Sequence, residues 1–232
     1  MKHEIGIRKP DCVVENWPGK YEAFSWLEYV ITAPNPIFLI TTRKANGAAN
    51  ANLHSWGLLL GQREELRSLL AILRWTHTAA NILREHEWCL SFPSLDMLPR
   101  CTATIAHNGA DNDEILDSGF TREEAKTVHA PRIAESLSSL ECTLEWDRPL
   151  YDGSDWHLFC GRVLHAAVDD RAIAPDPVDR FRQMQLMYNI RSCVDPLTGQ
   201  YYGPNTYGLI TTIAKAMNGQ PVEEIVHVGP NE

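Results

Sequence analysis

Short strands dominate the pattern of apolar and polar positions in this chain. Residues 140–147 alternate between apolar and polar side chains, which is the period of a strand with one buried face. Residues 36–42, PIFLITT, are rich in β-branched side chains and predict a buried strand. The Asn46–Gly47 pair that follows predicts a hairpin, because both positions tolerate a positive φ. The chain then returns as a strand from Asn50 to Leu60.

Two more strands and one ambiguous segment lie further along the chain. Residues 87–92 alternate in the same way, and residues 156–168 are apolar on both faces, which suits a strand buried within a barrel. Residues 62–74 carry leucines at the i, i+3, i+4, i+7 spacing of a helix. Because the strands come in runs and do not alternate with helices of equal length, the pattern favours an antiparallel barrel with added helices over a doubly wound sheet.

Three helical signals accompany these strands. Residues 78–86 place their apolar side chains on one face, as a surface helix does. Thr121 and Glu124 form a capping-box pattern within a region of helices and loops. Asp176–Pro177 supplies a cap and a first-turn proline for a helix that is predicted to run to about Tyr188.

The segment RWTHTAANI, residues 74–82, crowds a cation and three donors at the start of the first of these helices: Arg74, Thr76, His77 and Thr78. A helix start exposes unpaired backbone N–H groups and the positive end of the helix dipole, which suits a phosphate. The guanidinium group of Arg74 can donate two parallel hydrogen bonds to the same anion. The alternative interpretation is a threonine cap beside a surface arginine.

This segment and a second one, NANLHSWG at residues 50–57, occur in an order that resembles the flavin reductase-like family, whose members are FMN-binding split-barrel proteins and include the flavoredoxins. The family pattern begins with a proline before an apolar strand that ends in threonine, followed by a glycine-containing turn and an asparagine before a serine-bearing strand. A basic residue, a threonine and an asparagine then mark the start of a helix, and an aromatic residue lies in the next strand. The matching positions are Pro36, Thr42, Gly47, Asn50, Ser55, Arg74, Thr78, Asn81 and Trp88. The resemblance covers roughly residues 30–170.

The resemblance implies a mainly β protein with added helices, folded as an FMN-binding split β-barrel of Greek-key type. It implies a single domain over residues 1–232, with a core of about 30–170 and a C-terminal extension of about 171–232, which matches the family poorly. It also implies a strand at about 69–74, so we keep the helical interpretation only for the first half of the ambiguous segment.

The resemblance further implies which residues hold FMN without a covalent bond. The phosphate is expected at Arg74, Thr76, His77, Thr78 and Asn81, and the polar edge of the flavin ring along Asn52, His54, Ser55 and Trp56. Ser55 matches the family best by position. In the alternative interpretations Trp56 packs in the core and His77 is a solvated neighbour of the phosphate. No catalytic acid or base is implied, since the flavin carries the redox chemistry.

Three functions are compatible with these features. The first is an NAD(P)H-dependent flavin reductase or a related FMN-dependent oxidoreductase, with NADH or NADPH as the electron donor. The second is a flavoredoxin-like electron carrier that takes electrons from a partner redox protein. The third is a barrel without flavin that serves as a binding module, and the presence of Arg74, Thr78 and Asn81 speaks against it. The resemblance also implies a homodimer, because split-barrel flavoproteins usually bind FMN at a subunit interface.

Composition and charge narrow the binding partners and the cellular location that we expect for the protein. A formal net charge of −9 argues against binding to nucleic acid or to an anionic membrane surface. No apolar run approaches the ~20 residues of a membrane span, and the first residues lack the apolar core of a signal peptide. The six cysteines show no metal-ligand spacing, so we expect reduced thiols in a cytoplasmic protein without a metal site.

Overall fold

The computed structural model describes residues 2–11, 25–31, 33–190, 195, 197–198, 200, 206–215 and 224–228, with Lys215 described by its backbone alone. The chain divides into two compact units. The first comprises Met1–Asn35 and Tyr188–Gly208, and the second comprises Pro36–Met187 and Leu209–Glu232. All the residues predicted to hold FMN lie in the second unit.

Strands account for more of the described chain than helices do. The helices are α1 (Trp26–Ile31), α2 (His77–Glu85), α3 (Leu98–Ala106), α4 (Glu114–Asp117) and α5 (Pro177–Met184), with short 3₁₀ turns at Leu95–Met97 and Asp170–Ala172. The strands are β1 (Asn35–Pro36), β2 (Phe38–Arg43), β3 (Ala49–His54), β4 (Gly57–Gln62), β5 (Glu65–Leu73), β6 (Glu87–Phe92), β7 (Arg122–Glu123), β8 (Arg132–Ile133), β9 (Ser138–Pro149), β10 (Trp156–Val168), β11 (Met187–Asn189), β12 (Tyr207–Leu209), β13 (Thr212–Lys215) and β14 (Glu224–His227). None of the helices in the described part of the chain has the length and apolar character needed to span a membrane.

Seven antiparallel strands form the main sheet, in the order β3-β2-β6-β9-β10-β5-β4. Its two edge strands, β3 and β4, are joined by only Ser55 and Trp56. So short a link spans on the order of 10 Å, so the sheet has to curl until its edges approach one another. His54 at the end of β3 binds the Ala71 carbonyl of β5 at 2.8 Å, and the Ala71 N–H donates to the Trp56 carbonyl at 3.0 Å. The fold is mainly β and of the split-barrel type, as predicted.

The interior of this barrel is apolar. Its buried side chains include Phe38, Ile40, Leu70, Ile72, Ala79, Ile82, Trp88, Leu90, Leu140, Cys142 and Phe159. Trp88 is fully buried and lies against Gly161, where an added Cβ would come within 2.1 Å of the indole ring. The register between β9 and β10 shifts at Cys160 and Gly161, at the same place. A glycine is therefore needed on β10 to leave room for the indole.

Most of the predicted elements are confirmed. The strands predicted at 36–42, 87–92, 140–147 and 156–168 are β2, β6, β9 and β10, and the helix predicted at 78–86 is α2. The Asn46–Gly47 turn joins β2 to β3, with Gly47 at φ +85°. The strand predicted from Asn50 to Leu60 is present as β3 and β4, and the link at Ser55 and Trp56 interrupts it.

Two helical predictions are wrong, and a third helix is shorter than predicted. The first half of the ambiguous segment is also strand, because β5 pairs with β4 on one side and β10 on the other, and these pairings override the helical spacing of its leucines. Thr121 does not cap a helix, since its N–H and hydroxyl donate to Glu135 and strand β7 follows. Helix α5 starts as predicted but ends at Met184, before Tyr188.

The first unit has a small apolar cluster of its own. Trp26 and Tyr29 of α1 are buried there and pack against Ile5, Leu27 and Val30. This unit contains none of the residues predicted to hold FMN, so the candidate site is built from the second unit.

Candidate functional site

Helix α2 begins with a threonine cap. Thr76 accepts the Ala79 N–H at 3.2 Å and donates its hydroxyl proton to the Leu73 carbonyl at 2.9 Å. The backbone N–H groups of His77 and Thr78 have no partner within the helix and lie at the positive end of its dipole. The cap of the alternative interpretation is therefore present, and the helix start also keeps two donors of the kind that bind an anion.

Arg74 lies just before this helix and is mostly exposed. Its backbone N–H donates to the Asp155 carbonyl at 3.0 Å, and its Nε lies 3.2 Å from the Asp155 carboxylate. The two side chains are 67% and 52% exposed, so their ion pair contributes little stability. Arg74 can therefore exchange this carboxylate for a bound anion at small cost.

Thr78 and Asn81 lie on the buried side of α2 and bond the helix to the sheet. The Asn50 side-chain amide donates to the Thr78 hydroxyl at 3.0 Å, and the Asn81 amide donates to the Thr42 hydroxyl at 3.0 Å. Both residues are buried, and their partners lie on β3 and β2. These contacts fix where α2 begins over the barrel. That either side chain also contacts a phosphate stays a prediction.

His77 has a buried ring nitrogen, Nδ1, with no hydrogen-bond partner among the residues that the structure describes. Its ring lies near Glu114 of α4, which is 2% exposed and is bonded to Lys44 at 2.8 Å. Burial raises the pKa of Glu114, although Lys44, the Ala51 N–H and His77 lower it. A buried polar atom without a partner is costly, so a ligand or water that bonds Nδ1 would be favoured here.

The outer edge of β3 lies beside the start of α4. The Ala49 and Ala51 N–H groups point outwards from this edge and donate to the Asp113 and Glu114 carboxylates at 3.3 and 2.8 Å. By the alternation of an antiparallel ladder, Leu53 is the next residue to point outwards. Within the described ranges no carboxylate accepts a hydrogen bond from the Leu53 N–H. A backbone donor next to Ser55 is therefore left for a ligand.

His54, Ser55 and Trp56 close the barrel between β3 and β4. His54 and Ser55 are buried, and the His54 ring meets the rings of Phe38 and Trp56 edge to face, with centroids 5.8 and 5.3 Å apart. Burial lowers the pKa of His54 to about 4, although backbone bonds to Ala71 and Trp56 raise it. At neutral pH His54 is therefore an uncharged ring that bridges two strands, and its predicted contact with a flavin stays a prediction.

Two residues beside the site had no signal in the sequence. The ring centroids of Trp156 and Trp56 are 5.1 Å apart, and Trp156 pairs with Leu73 in the register of β10 against β5. Asp155 precedes Trp156 and holds Arg74. Their position depends on the pairing of strands that are distant in the chain, which no local pattern reports.

The structure thus groups the start of α2, Arg74 and the tryptophan pair in one region of the barrel. Asn52 is half-buried on the face of β3 that also carries Asn50 and His54. Two backbone donors and a guanidinium fit a phosphate, and the indoles with a free backbone donor fit a planar ring with a polar edge. In the described part of the chain, no three histidine, cysteine, aspartate or glutamate side chains group closely enough to hold a metal ion.

A model of the flavin reductase-like domain matches residues 31–192, which is more than half of the chain. The chain belongs to the flavin reductase-like family. Solved structures are similar to this flavin reductase-like protein in fold. Nitrilotriacetate monooxygenase component B from Bacillus cereus has a TM-score of 0.67 and 16% identity, over 84% of this chain and 97% of that one.

Two further structures have the same fold. Flavoredoxin of Desulfovibrio vulgaris (Miyazaki F) has a TM-score of 0.62 and 16% identity, over 85% of this chain and 93% of that one. An FMN-binding protein from Thermus thermophilus has a TM-score of 0.57 and 17% identity, over 87% of this chain and 95% of that one. At 16–17% identity, the similarity to these structures establishes the fold of this chain alone.

Proposed function

We propose that the protein binds FMN and acts as an oxidoreductase of the flavin reductase type, with NADH or NADPH as the electron donor. The observation that carries the proposal is the start of α2, where two backbone donors, the buried Nδ1 of His77 and the Arg74 guanidinium lie in one short segment. Membership of the flavin reductase-like family and the fold shared with the FMN-binding protein of Thermus thermophilus support the choice of flavin.

Each residue has a binding or positioning task in this proposal. The N–H groups of His77 and Thr78 and the Arg74 guanidinium hold the phosphate. The segment Asn52–Trp56 receives the flavin ring, with backbone donors toward its polar edge. When bound, FMN supplies the redox chemistry, and the protein supplies binding, orientation and electrostatics.

A second function, electron carriage without a nicotinamide site, is favoured by the fold shared with the flavoredoxin of Desulfovibrio vulgaris. Anaerobic addition of NADH or NADPH to the FMN-loaded protein separates the two functions. Bleaching of the flavin absorbance supports the reductase. A flavin that dithionite reduces and neither nicotinamide nucleotide reduces supports the carrier.

FMN should bind the purified protein at least about tenfold more tightly than riboflavin, because hydrogen bonds to a charged phosphate contribute about 1.5–3 kcal/mol each. Quenching of flavin fluorescence in parallel titrations measures both affinities. The cofactor proposal is wrong if micromolar FMN produces no change. Equal affinities for the two flavins would mean that the start of α2 does not hold the phosphate.

Replacing Arg74 with alanine should weaken FMN binding by about 2 kcal/mol, which is roughly thirtyfold, and leave riboflavin binding unchanged. The loss lies at the low end for a charged pair because Arg74 is 67% exposed. The matched control is Arg182→Ala, which removes another exposed arginine with one carboxylate partner, Asp179 at 2.7 Å. Equal losses for FMN and riboflavin in Arg74→Ala would place this residue away from the phosphate.

We further propose that the protein is a homodimer, and the outer face of β4 and its neighbours is the surface that suits a second copy. Leu58 and Leu60 of the edge strand β4 are 58% and 48% exposed, and Trp146 of β9 is 40% exposed. In the sheet registers Leu58, Leu69, Cys160 and Trp146 form one row across four strands. The two ends of this row, Leu58 and Trp146, are exposed, whereas Cys160 within it is buried. Exposed apolar side chains on an edge strand form a surface that proteins usually cover.

Light scattering of the purified protein should therefore give the mass of a dimer. The double change Leu58→Glu with Leu60→Glu should give a monomer, because the interface would have to bury two unpaired carboxylates. The control is Ile173→Glu, a change at a residue that is 67% exposed elsewhere on the second unit. A monomeric wild-type protein would overturn the proposal, and so would a double variant that remains dimeric.

A further inference from the structure

A carboxylate of the protein itself already contacts the arginine that we assign to the flavin phosphate. One oxygen of Asp155 lies 3.2 Å from Nε of Arg74, and the two side chains are 52% and 67% exposed. Because neither side chain is buried, water replaces either partner at small cost. An anion that binds Arg74 has to displace this carboxylate or share the guanidinium with it. In both cases part of the positive charge of Arg74 is neutralised before the anion arrives.

The backbone of Asp155 is held in place independently of its carboxylate. Its carbonyl accepts the Arg74 N–H at 3.0 Å, and the next residue, Trp156, pairs with Leu73 in the register of β10 against β5. The Ser154 hydroxyl oxygen accepts the Trp156 N–H at 3.1 Å, which orders the turn just before β10. A fixed backbone therefore presents the carboxylate to Arg74, and removing the charge leaves that backbone as it is.

We propose that Asp155 is a specificity-determining residue of the flavin site, which competes with the flavin phosphate for Arg74. By this competition it reduces the preference for FMN over riboflavin that Arg74 creates. Riboflavin has no phosphate, so the competition does not affect its binding. The inference rests on the proposed function and deepens it, because it assigns the control of FMN affinity to a residue that does not itself hold the phosphate.

The opposite role, in which Asp155 orients Arg74 toward the phosphate, fits the contact less well. A strong charge-assisted hydrogen bond to a carboxylate has a length of about 2.7–2.9 Å and is often bidentate. The separation here is 3.2 Å, and both groups are exposed. A contact of this kind is too weak to fix a long side chain in one orientation. It still places a negative charge where a bound anion would lie.

The variant Asp155→Asn removes the charge and keeps the shape of the side chain. FMN should bind this variant at least about threefold more tightly than the wild type, because breaking an exposed ion pair costs a factor of up to about five. The affinity for riboflavin should not change. Quenching of flavin fluorescence measures both affinities, at low ionic strength so that screening does not hide the effect.

The matched control is Asp152→Asn, which removes the same charge from another exposed residue of the loop between β9 and β10. This change should alter the FMN affinity by less than about twofold, since screening weakens the effect of a distant exposed charge. Asp155→Glu keeps the charge and should bind FMN as the wild type does. A gain in Asp155→Glu or in Asp152→Asn equal to that in Asp155→Asn would overturn the inference.

A double-mutant cycle tests whether Asp155 acts through Arg74. With Arg74→Ala in the background, Asp155→Asn should raise the FMN affinity by less than about twofold, because no guanidinium is left to compete for. An equal gain in both backgrounds would mean that the carboxylate repels the phosphate directly, and the inference would be wrong. Thermal unfolding followed by circular dichroism should show the same stability for Asp155→Asn as for the wild type, since the ion pair is exposed.

The same titrations keep this inference apart from the proposed function. If FMN binds the wild type, and binds Asp155→Asn equally or more weakly, the inference is wrong and the proposed function stands. An equal gain for riboflavin and FMN would place the effect of Asp155 at the ring, which also overturns the inference alone. If none of these proteins binds FMN, the proposed function is wrong and the inference fails with it.

Discussion

Replacing Lys44 with methionine should lower the free energy of unfolding by about 3–5 kcal/mol. Lys44 is 6% exposed, and its ammonium group bonds the Glu114 carboxylate at 2.8 Å and the carbonyls of Gly109 and Asn112 at 2.7 and 2.9 Å. Without this group, the carboxylate stays buried with the Ala51 N–H as its donor. Removing one member of a buried ion pair is costly because the other charge remains buried and uncompensated.

Urea unfolding followed by circular dichroism measures this loss. The control is Lys126→Met, since the Lys126 side chain is exposed. The double variant Lys44→Met with Glu114→Leu should recover much of the stability, because no charge is then left buried. A loss below about 1 kcal/mol in Lys44→Met, the range of an exposed pair, would contradict the burial of the ion pair.

Mild acid should produce the second large effect on stability. Burial lowers the pKa of His54 from 6.5 to about 4. Between these two pH values the unfolded chain is protonated at this histidine and the folded chain is not, so the unfolded state binds more protons and stability falls as the pH falls. The difference between the two pKa values corresponds to about 3 kcal/mol, lost progressively from pH 6.5 down to pH 4.

Unfolding free energies measured at intervals through this pH range test the effect. His54→Gln keeps an amide donor for the Ala71 carbonyl and cannot be protonated in this range, so the variant should lose the part of the pH dependence that His54 contributes, even though its packing is poorer. His107→Gln should keep the dependence of the wild type, because this histidine is exposed. An unchanged slope in His54→Gln would show that another group causes the acid sensitivity.

Protonation of the Glu141 carboxylate lowers the stability of the fold at a lower pH than protonation of His54 does. Burial raises the pKa of this residue, but hydrogen bonds from Thr127 and Lys126 outweigh burial and bring the pKa below its ordinary value. A lowered pKa means that the ionised form stabilises the fold, and that this contribution is lost as the pH falls through the folded value. The contribution of His54 can therefore be measured first, at higher pH.

The elements that the sequence predicted correctly are those with local signals. Helix α2 has a cap at Thr76 and one apolar face, and both signals lie within a few residues. Strand β5 was missed in its first half because leucines at helical spacing also fit a strand. Pairing with β4 and β10 makes the segment a strand and not a helix, and β10 is distant in the chain. Local spacing carries no information about such a partner.

In the candidate site, too, the features with local signals were predicted and those that depend on distant strands were not. The helix start and Arg74 lie together, as expected from their closeness in sequence. The hydrogen bonds that Thr78 and Asn81 make with β3 and β2 could not be foreseen, since a hydroxyl or an amide binds a phosphate and a neighbouring side chain with the same chemistry. The position of Asp155 beside Arg74 required the register of β10 against β5.

The two-residue link between β3 and β4 has a consequence for the chain as it leaves the ribosome. The strands that it joins become opposite edges of the sheet, and the gap between β5 and β6 is filled by β9 and β10, the latter ending at Val168. Until β10 has emerged, β5 and β6 each keep one unpaired side, which is a template for pairing with another nascent chain. Translation that pauses or stops before β9 would therefore leave a fragment in which aggregation competes with folding.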